Sequence, residues 1–123
     1  MTNFDHHGLA VEHRGDVTVA RFQIARLLKE GTVEIIGEQL FALVDNEGRR
    51  RLILDFGRVE RVYSVMLGKI AALHQKLEAA GGHLALCQLH PDVYEVFLAL
   101  GLHKVLDIYD DEKQALEAVG APA

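Results

Sequence analysis

Two short runs of uninterrupted apolar residues constrain this chain more than anything else in it. Leu52-Ile53-Leu54, closed by Asp55, and Leu84-Ala85-Leu86-Cys87 do not alternate apolar with polar residues. A strand with one wet face alternates; a continuous run belongs to a strand buried on both sides, as in a parallel sheet with helices above and below it. The segments around the runs supply those helices. Residues 32–44 place Ile36, Leu40, Leu43 and Val44 on one face, with Thr32 as the expected cap and Asn46-Glu47-Gly48 as the stop. From Ser64, the residues Leu67, Ile70, Ala71, His74 and Leu77 form a second stripe, ended by Gly81-Gly82. Pro91 suits a first helical position, with Asp92 and Glu95 in the first turn, and Val93, Val96, Phe97 and Leu100 are expected to be buried before Gly101. Asp111 and Gln114 have capping-box spacing ahead of a terminal helix lined by Ala115, Leu116 and Val119.

The remaining strands come from alternation. Residues 9–13 and 17–22 alternate on either side of Gly15-Asp16 and read as a hairpin, and residues 105–109 as a last short strand. Residues 23–31 have no clean period and are expected to be a connection, and residues 121–123 a tail. The order is therefore β-β-α-β-α-β-α-β-α. Strands separated by single helices imply a mostly parallel sheet, with the first hairpin strand as an antiparallel edge and four helices. No repeat or linker interrupts the 123 residues, so one domain is expected over 1–123, with its core over about 9–119.

Composition excludes several function classes. The net charge of −5 does not provide the basic face that nucleic acid needs. The one dense basic run, Arg49-Arg50-Arg51, is expected in a solvated turn. No stretch approaches the ~20 apolar residues of a membrane span, and residues 1–7 lack the apolar segment of an export signal, so a cytoplasmic protein is expected. Cys87 is the only cysteine and reads as a small buried hydrophobe. The seven histidines are scattered without metal-ligand spacing; His6-His7 lies at an expected disordered terminus, and His74 falls on an apolar stripe. No phosphate-binding loop, dinucleotide fingerprint or nucleophile elbow is present. Along one helix His74 would stand about 15 Å from Ser64, too far to be its base. No enzyme activity, metal or cofactor is expected.

The element order, together with local sequence, resembles the STAS domain family over most of the chain, from about residue 9 to residue 119. The strand Leu52-Ile53-Leu54-Asp55, the loop from Phe56 to Val62, and Tyr63-Ser64-Val65-Met66-Leu67-Gly68 are similar to the family's apolar strand ending in Asp, short loop, and Asp-Ser-Ser/Thr-Gly-Leu-Gly helix start. The downstream frame agrees through Gly81-Gly82, the strand to Cys87, Val93-Tyr94-Glu95-Val96-Phe97 and Gly101-Leu102. Tyr63 stands in place of the family's acid, Val65 in place of the second small hydroxyl, and Met66 in place of the first glycine. The resemblance implies a signalling module of the anti-sigma-factor-antagonist type, indirectly regulating transcription. It would bind an anti-sigma factor or serine kinase as a protein partner, with Ser64 as the phosphoacceptor.

Helix-start chemistry permits that role and offers a plainer one. The first N–H groups of a helix lack internal acceptors, and a serine at the cap satisfies one of them, worth ~1 kcal/mol. The same donors and the helix dipole tolerate a phosphate carrying nearly two negative charges. Arg58, Arg61, Tyr63, Val65 and Met66 are candidate partner contacts around Ser64. Asp55 is expected to accept hydrogen bonds from loop N–H groups and stiffen the approach to it. Two other readings stay open: an unphosphorylated STAS scaffold, and a small-ligand sensor at the strand ends near Asp55. A homodimer is also left open.

Overall fold

The computed structural model describes residues 3–6, 8–27 and 30–120. Its main sheet contains β1 (Asn3–His6), β2 (Leu9–Arg14), β3 (Val17–Phe22), β5 (Arg51–Asp55), β7 (His83–Cys87) and β8 (Asp107–Tyr109), in the order β1-β2-β3-β5-β7-β8. β1 and β3 both pair antiparallel with β2, while β3-β5, β5-β7 and β7-β8 are parallel. A two-stranded parallel ribbon joins β4 (Arg26–Leu27) to β6 (Arg61–Val62). The α-helices among the described residues are α1 (Glu30–Asp45), α2 (Ser64–Ala79), α3 (Pro91–Ala99) and α4 (Glu112–Gly120). The expected α/β architecture and mostly parallel sheet are observed.

The two apolar runs occupy the centre. Leu52, Leu54, Leu84 and Leu86 face a core built with Val33, Ile36 and Leu40 of α1, Ile70 and Leu73 of α2, and Phe97 of α3. Ile53, Ala85 and Cys87 face the opposite side, where Ala115 and Val119 of α4 cover them. Continuous hydrophobicity is what this double burial requires. At the other end of β7, Gly82 lies so close to the carbonyl of Arg50 that a Cβ would collide with backbone.

Several details differ from the sequence expectations, each for a local reason. The hairpin strand β2 is not the edge: Asn3–His6 pairs outside it, because backbone pairing does not require an apolar side-chain pattern. His6 therefore belongs to a strand, whereas His7 and the 121–123 tail lie outside the described residues. Residues 23–31 are more than a connection, since they contain β4; of this stretch, residues 28 and 29 also lie outside the described residues. α1 starts at Glu30, so Thr32 sits inside the first turn rather than at the cap; buried Val33 extends the stripe toward the N-terminus. In α2, Leu73 is buried and Ala71 only half-buried. Leu100 ends α3 as its C-cap and is 58% exposed, because the turn into left-handed Gly101 carries it off the buried face. A 3-10 turn, Leu102–Lys104, shortens the last strand to Asp107–Tyr109. Arg49 is not merely solvated: its guanidinium donates to Thr18 Oγ1 (2.6 Å) and to the Gly15 carbonyl (2.7 Å), and Arg51 opens β5.

Candidate functional site

The segment from Asp55 to Met66 carries the candidate site, and its sequence alternates anchors with presented residues. Phe56, Val59, Val62 and Met66 are buried, while Gly57, Arg58, Glu60, Arg61, Tyr63, Ser64 and Val65 are exposed. The Phe56 ring packs against Phe22 (centroids 4.8 Å apart) and edge-on to Phe97 (6.1 Å). The backbone is tied on three sides. Phe56 N–H donates to the Cys87 carbonyl (3.0 Å), and Glu60 and Arg61 N–H donate to the Ala25 carbonyl (2.6 and 3.1 Å). Arg61 and Val62 then pair with Arg26 and Leu27. His90 Nε2 donates to the Gly57 carbonyl (2.8 Å), joining the loop to the start of α3. A loop held this way presents its exposed side chains from a fixed frame.

Ser64 is the first residue of α2, and the capping position belongs to Tyr63, whose backbone is extended and whose side chain makes no cap hydrogen bond. The expectation that Ser64 acts as the cap is thus corrected. Tyr63 takes the turn because β6 ends one residue earlier and the chain passes from extended to helical at that point. Ser64 is exposed at the helix start, where the Met66 and Leu67 N–H groups already donate to the Tyr63 carbonyl (3.0 and 3.3 Å). Tyr63 (53% exposed) and Val65 (46%) flank it.

Met66 is 0% exposed and packs in the main core, so its place among candidate partner contacts is corrected as well. With Ser64 at the first helical position, Met66 is the third and turns inward with Leu67 and Ile70. Tyr63 and Arg61 line a shallow groove of about 230 Å³ with Glu60, Val62 and, from α3, Asp92, Val93, Glu95 and Val96. Arg58 is exposed in the loop but does not line this groove. The role of the α3 residues was not legible beforehand, because Val93 and Val96 read simply as core.

Asp55 does accept the expected loop hydrogen bond, from Gly57 N–H to Oδ1 (2.7 Å). A side chain at Gly57 would crowd that oxygen. Asp55 is only 7% exposed. Burial, reinforced by the Glu112 charge, pushes it up to about 7. Glu112 moves the opposite way, held below the usual carboxylate range chiefly by the Arg21 guanidinium. Asp55 thus ends in protein partners rather than an open crevice. Cys87 is buried, and burial pushes its thiol well up, which leaves it a poor nucleophile. Among the described residues no cluster of potential metal ligands occurs, and no helix is long and apolar enough to cross a membrane.

Comparison with known proteins places this geometry. The STAS domain family matches residues 9–115. BtrV of Bordetella bronchiseptica, named as a candidate anti-sigma factor antagonist, is 30% identical over 92 residues, covering 75% of this chain and 78% of its own. The anti-sigma F factor antagonist of Paenibacillus polymyxa is 25% identical over 108 residues, covering 88% of this chain and 91% of its own. The crystal structure of a candidate anti-sigma factor antagonist from Thermotoga maritima superposes with a TM-score of 0.83 at 24% identity, covering 94% of this chain and 99% of that one. With the family matched over residues 9–115, most of its length, the chain belongs to the STAS domain family.

Proposed function

We infer that this protein is an anti-sigma factor antagonist-like signalling module. It acts as a single cytoplasmic domain that binds a regulatory kinase or anti-sigma factor through the start of α2, with Ser64 as its phosphoacceptor. The observation that carries this reading is the position of Ser64: exposed, first in its helix, and relieved of capping by Tyr63. A hydroxyl so placed is reachable by a kinase, and the helix's free N–H groups and dipole accommodate the charge that a phosphate adds. The names of the Bordetella and Paenibacillus relatives point to the same class of partner. Exposed Arg58, Arg61 and Tyr63 on the tethered loop before Ser64, and exposed Val65 beside it in α2, supply the contact surface.

A phosphate here acts at the surface rather than on the fold, by repelling or blocking a docked partner. The test is mass spectrometry of the protein captured from its native cell, combined with binding by Ser64→Ala and Ser64→Asp. Phosphate on Ser64 and loss of the captured partner in Ser64→Asp are expected. Equal binding by wild type and both variants would remove the switch.

The second reading, a scaffold without phosphorylation, is favoured by exposed Tyr63 and Val65, which offer apolar contact area independent of any charge. It predicts loss of the partner in Tyr63→Ala and Val65→Ala with no effect of Ser64→Asp.

A further inference from the structure

The main sheet ends at β8, which pairs with β7 on one side and has no strand beside it on the other among the described residues. An open strand edge is a template for another strand, and chains usually blunt or cover it. Here the flank is apolar instead. In α3, Val93 and Phe97 are buried, while Tyr94 and Leu98, one turn apart on the adjoining strip, are 38% and 40% exposed. Tyr94 reaches the open edge: with Leu89, Pro91, Ile108, Tyr109 and Asp110 it lines a groove of about 310 Å³ at the C-terminal end of β8. Just before the strand, Val105 projects with 58% exposure, although its neighbour Leu106 is buried. The edge therefore carries an apolar knob at one end and a hollow at the other.

Charge is divided in the same direction. His103-Lys104 precede the strand, and Asp110-Asp111 follow it. Lys104 and Asp110 are exposed, and among the described residues neither is in an ion pair. Glu112 is already held by the Arg21 fork, so Asp110 and Asp111 supply the negative end. A surface with knob and positive charge at one end, hollow and negative charge at the other, is complementary to itself reversed. That is the relation an isologous two-fold contact requires. A copy running in the same direction would set like charges side by side.

We propose that β8 pairs antiparallel with β8 of a second copy of this chain, about a two-fold axis near Ile108, joining the two main sheets into one. In that register Asp107 of each copy lies opposite Tyr109 of the other. Val105 faces the hollow, and Lys104 comes beside Asp110 and Asp111. α3 is the crossover between β7 and β8 and lies over that outermost pair. With strands about 4.8 Å apart, the two α3 helices come to about 10 Å from each other, the separation at which helices pack. They run antiparallel, so Tyr94 of each meets Leu98 of the other. The groove that α3 shares with Tyr63 is lined by Asp92, Glu95 and Val96, on the far side of the helix. The dimer thus leaves Ser64 open and does not rest on its phosphorylation.

The test is sedimentation velocity of the whole chain from about 1 to about 500 µM, a range that covers weak to moderate association. A concentration-dependent dimer is expected, weakening as salt screens the Lys104 pairs. Lys104→Glu and Asp110→Lys should each weaken it about tenfold or more, and the two together in one chain should restore it. Val105→Asp, which puts a charge on the knob, should abolish it. All three positions are exposed or at a strand end, and circular dichroism checks that each variant keeps the fold. A monomer at every concentration overturns the proposal. So does a dimer that survives both Lys104→Glu and Val105→Asp, or a double charge swap no better than its singles.

Discussion

Met66→Ala separates what holds the Ser64 loop in place from what that loop shows to a partner. Met66 is 0% exposed, between the exposed Val65 and the buried Leu67, in the first turn of α2. Removing a fully buried Met side chain forfeits its transfer free energy and leaves a cavity, together about 2–5 kcal/mol. The better helix propensity of Ala returns only a few tenths of a kcal/mol. A net loss of about 3 kcal/mol is therefore expected. For a domain of this size, with a urea slope of about 1.5 kcal/mol/M, the midpoint should fall by about 2 M. Met66→Leu conserves volume and should cost under about 1.5 kcal/mol. Val65→Ala, at a position 46% exposed, should shift stability by no more than about 0.5 kcal/mol. The assay is equilibrium urea unfolding by circular dichroism, alongside binding to a captured partner under native conditions. A Met66→Ala loss below about 1 kcal/mol, or one no greater than that of Val65→Ala, would refute the assignment of Met66 to the core.

The other predictions concern charge and backbone. Ser64→Asp places an acid at the N-terminal turn of α2, where the dipole favours it, so a gain of about 0.5 kcal/mol is expected in thermal melts at low salt; a marked loss would mean that binding defects of this variant reflect damage to the fold. Because the folded-state value of Asp55 lies above its ordinary value of 3.8, the native protein binds more protons between about pH 4 and 7, and the associated stability is lost as pH rises through that window. Glu112, held low, contributes stability that is present above its ordinary value of 4.5 and lost as pH falls toward 2. Asp55→Asn should therefore flatten the decline between about pH 4 and 7, by an amount on the order of a few kcal/mol at about 1.4 kcal/mol per unit; urea titrations at several pH values read it directly. Gly82→Ala forces a Cβ against the Arg50 carbonyl and should cost about 2 kcal/mol or more, measured as a lowered urea midpoint.

What could be read in advance follows from the range of the forces involved. Double burial of β5 and β7 leaves a one-dimensional trace, because every position in the run must be apolar. The stops at Gly48, Gly81 and Gly101 were legible for a similar reason: each takes a positive φ that glycine adopts most readily. The Asp111 cap also had a local signature, and its Oδ1 accepts the Gln114 N–H at 2.8 Å. β1, β4 and β6 left little trace. β4 and β6, two residues each, are held by backbone pairing between segments distant in sequence, which imposes no side-chain period, and β1, four residues paired with the adjacent β2, carries no apolar alternation. Ser64 was read correctly as opening α2, but the cap assigned to it falls one residue earlier, on Tyr63, and Met66 was read from its motif neighbours rather than from its phase with Ile70. The Arg21–Glu112 fork was illegible altogether, since the two residues, 91 apart, meet only once α4 has folded back over the sheet.

The alternation along residues 56–66 has an evolutionary corollary. Phe56, Val59, Val62 and Met66 are buried and specify where the loop goes; Arg58, Arg61, Tyr63 and Val65 are exposed and play no part in that anchoring. Because the two sets share no member, the second can be rewritten residue by residue while the first keeps the framework intact. Duplicated copies of such a gene could diverge toward different partners, and avoid cross-talk, without passing through unfolded intermediates.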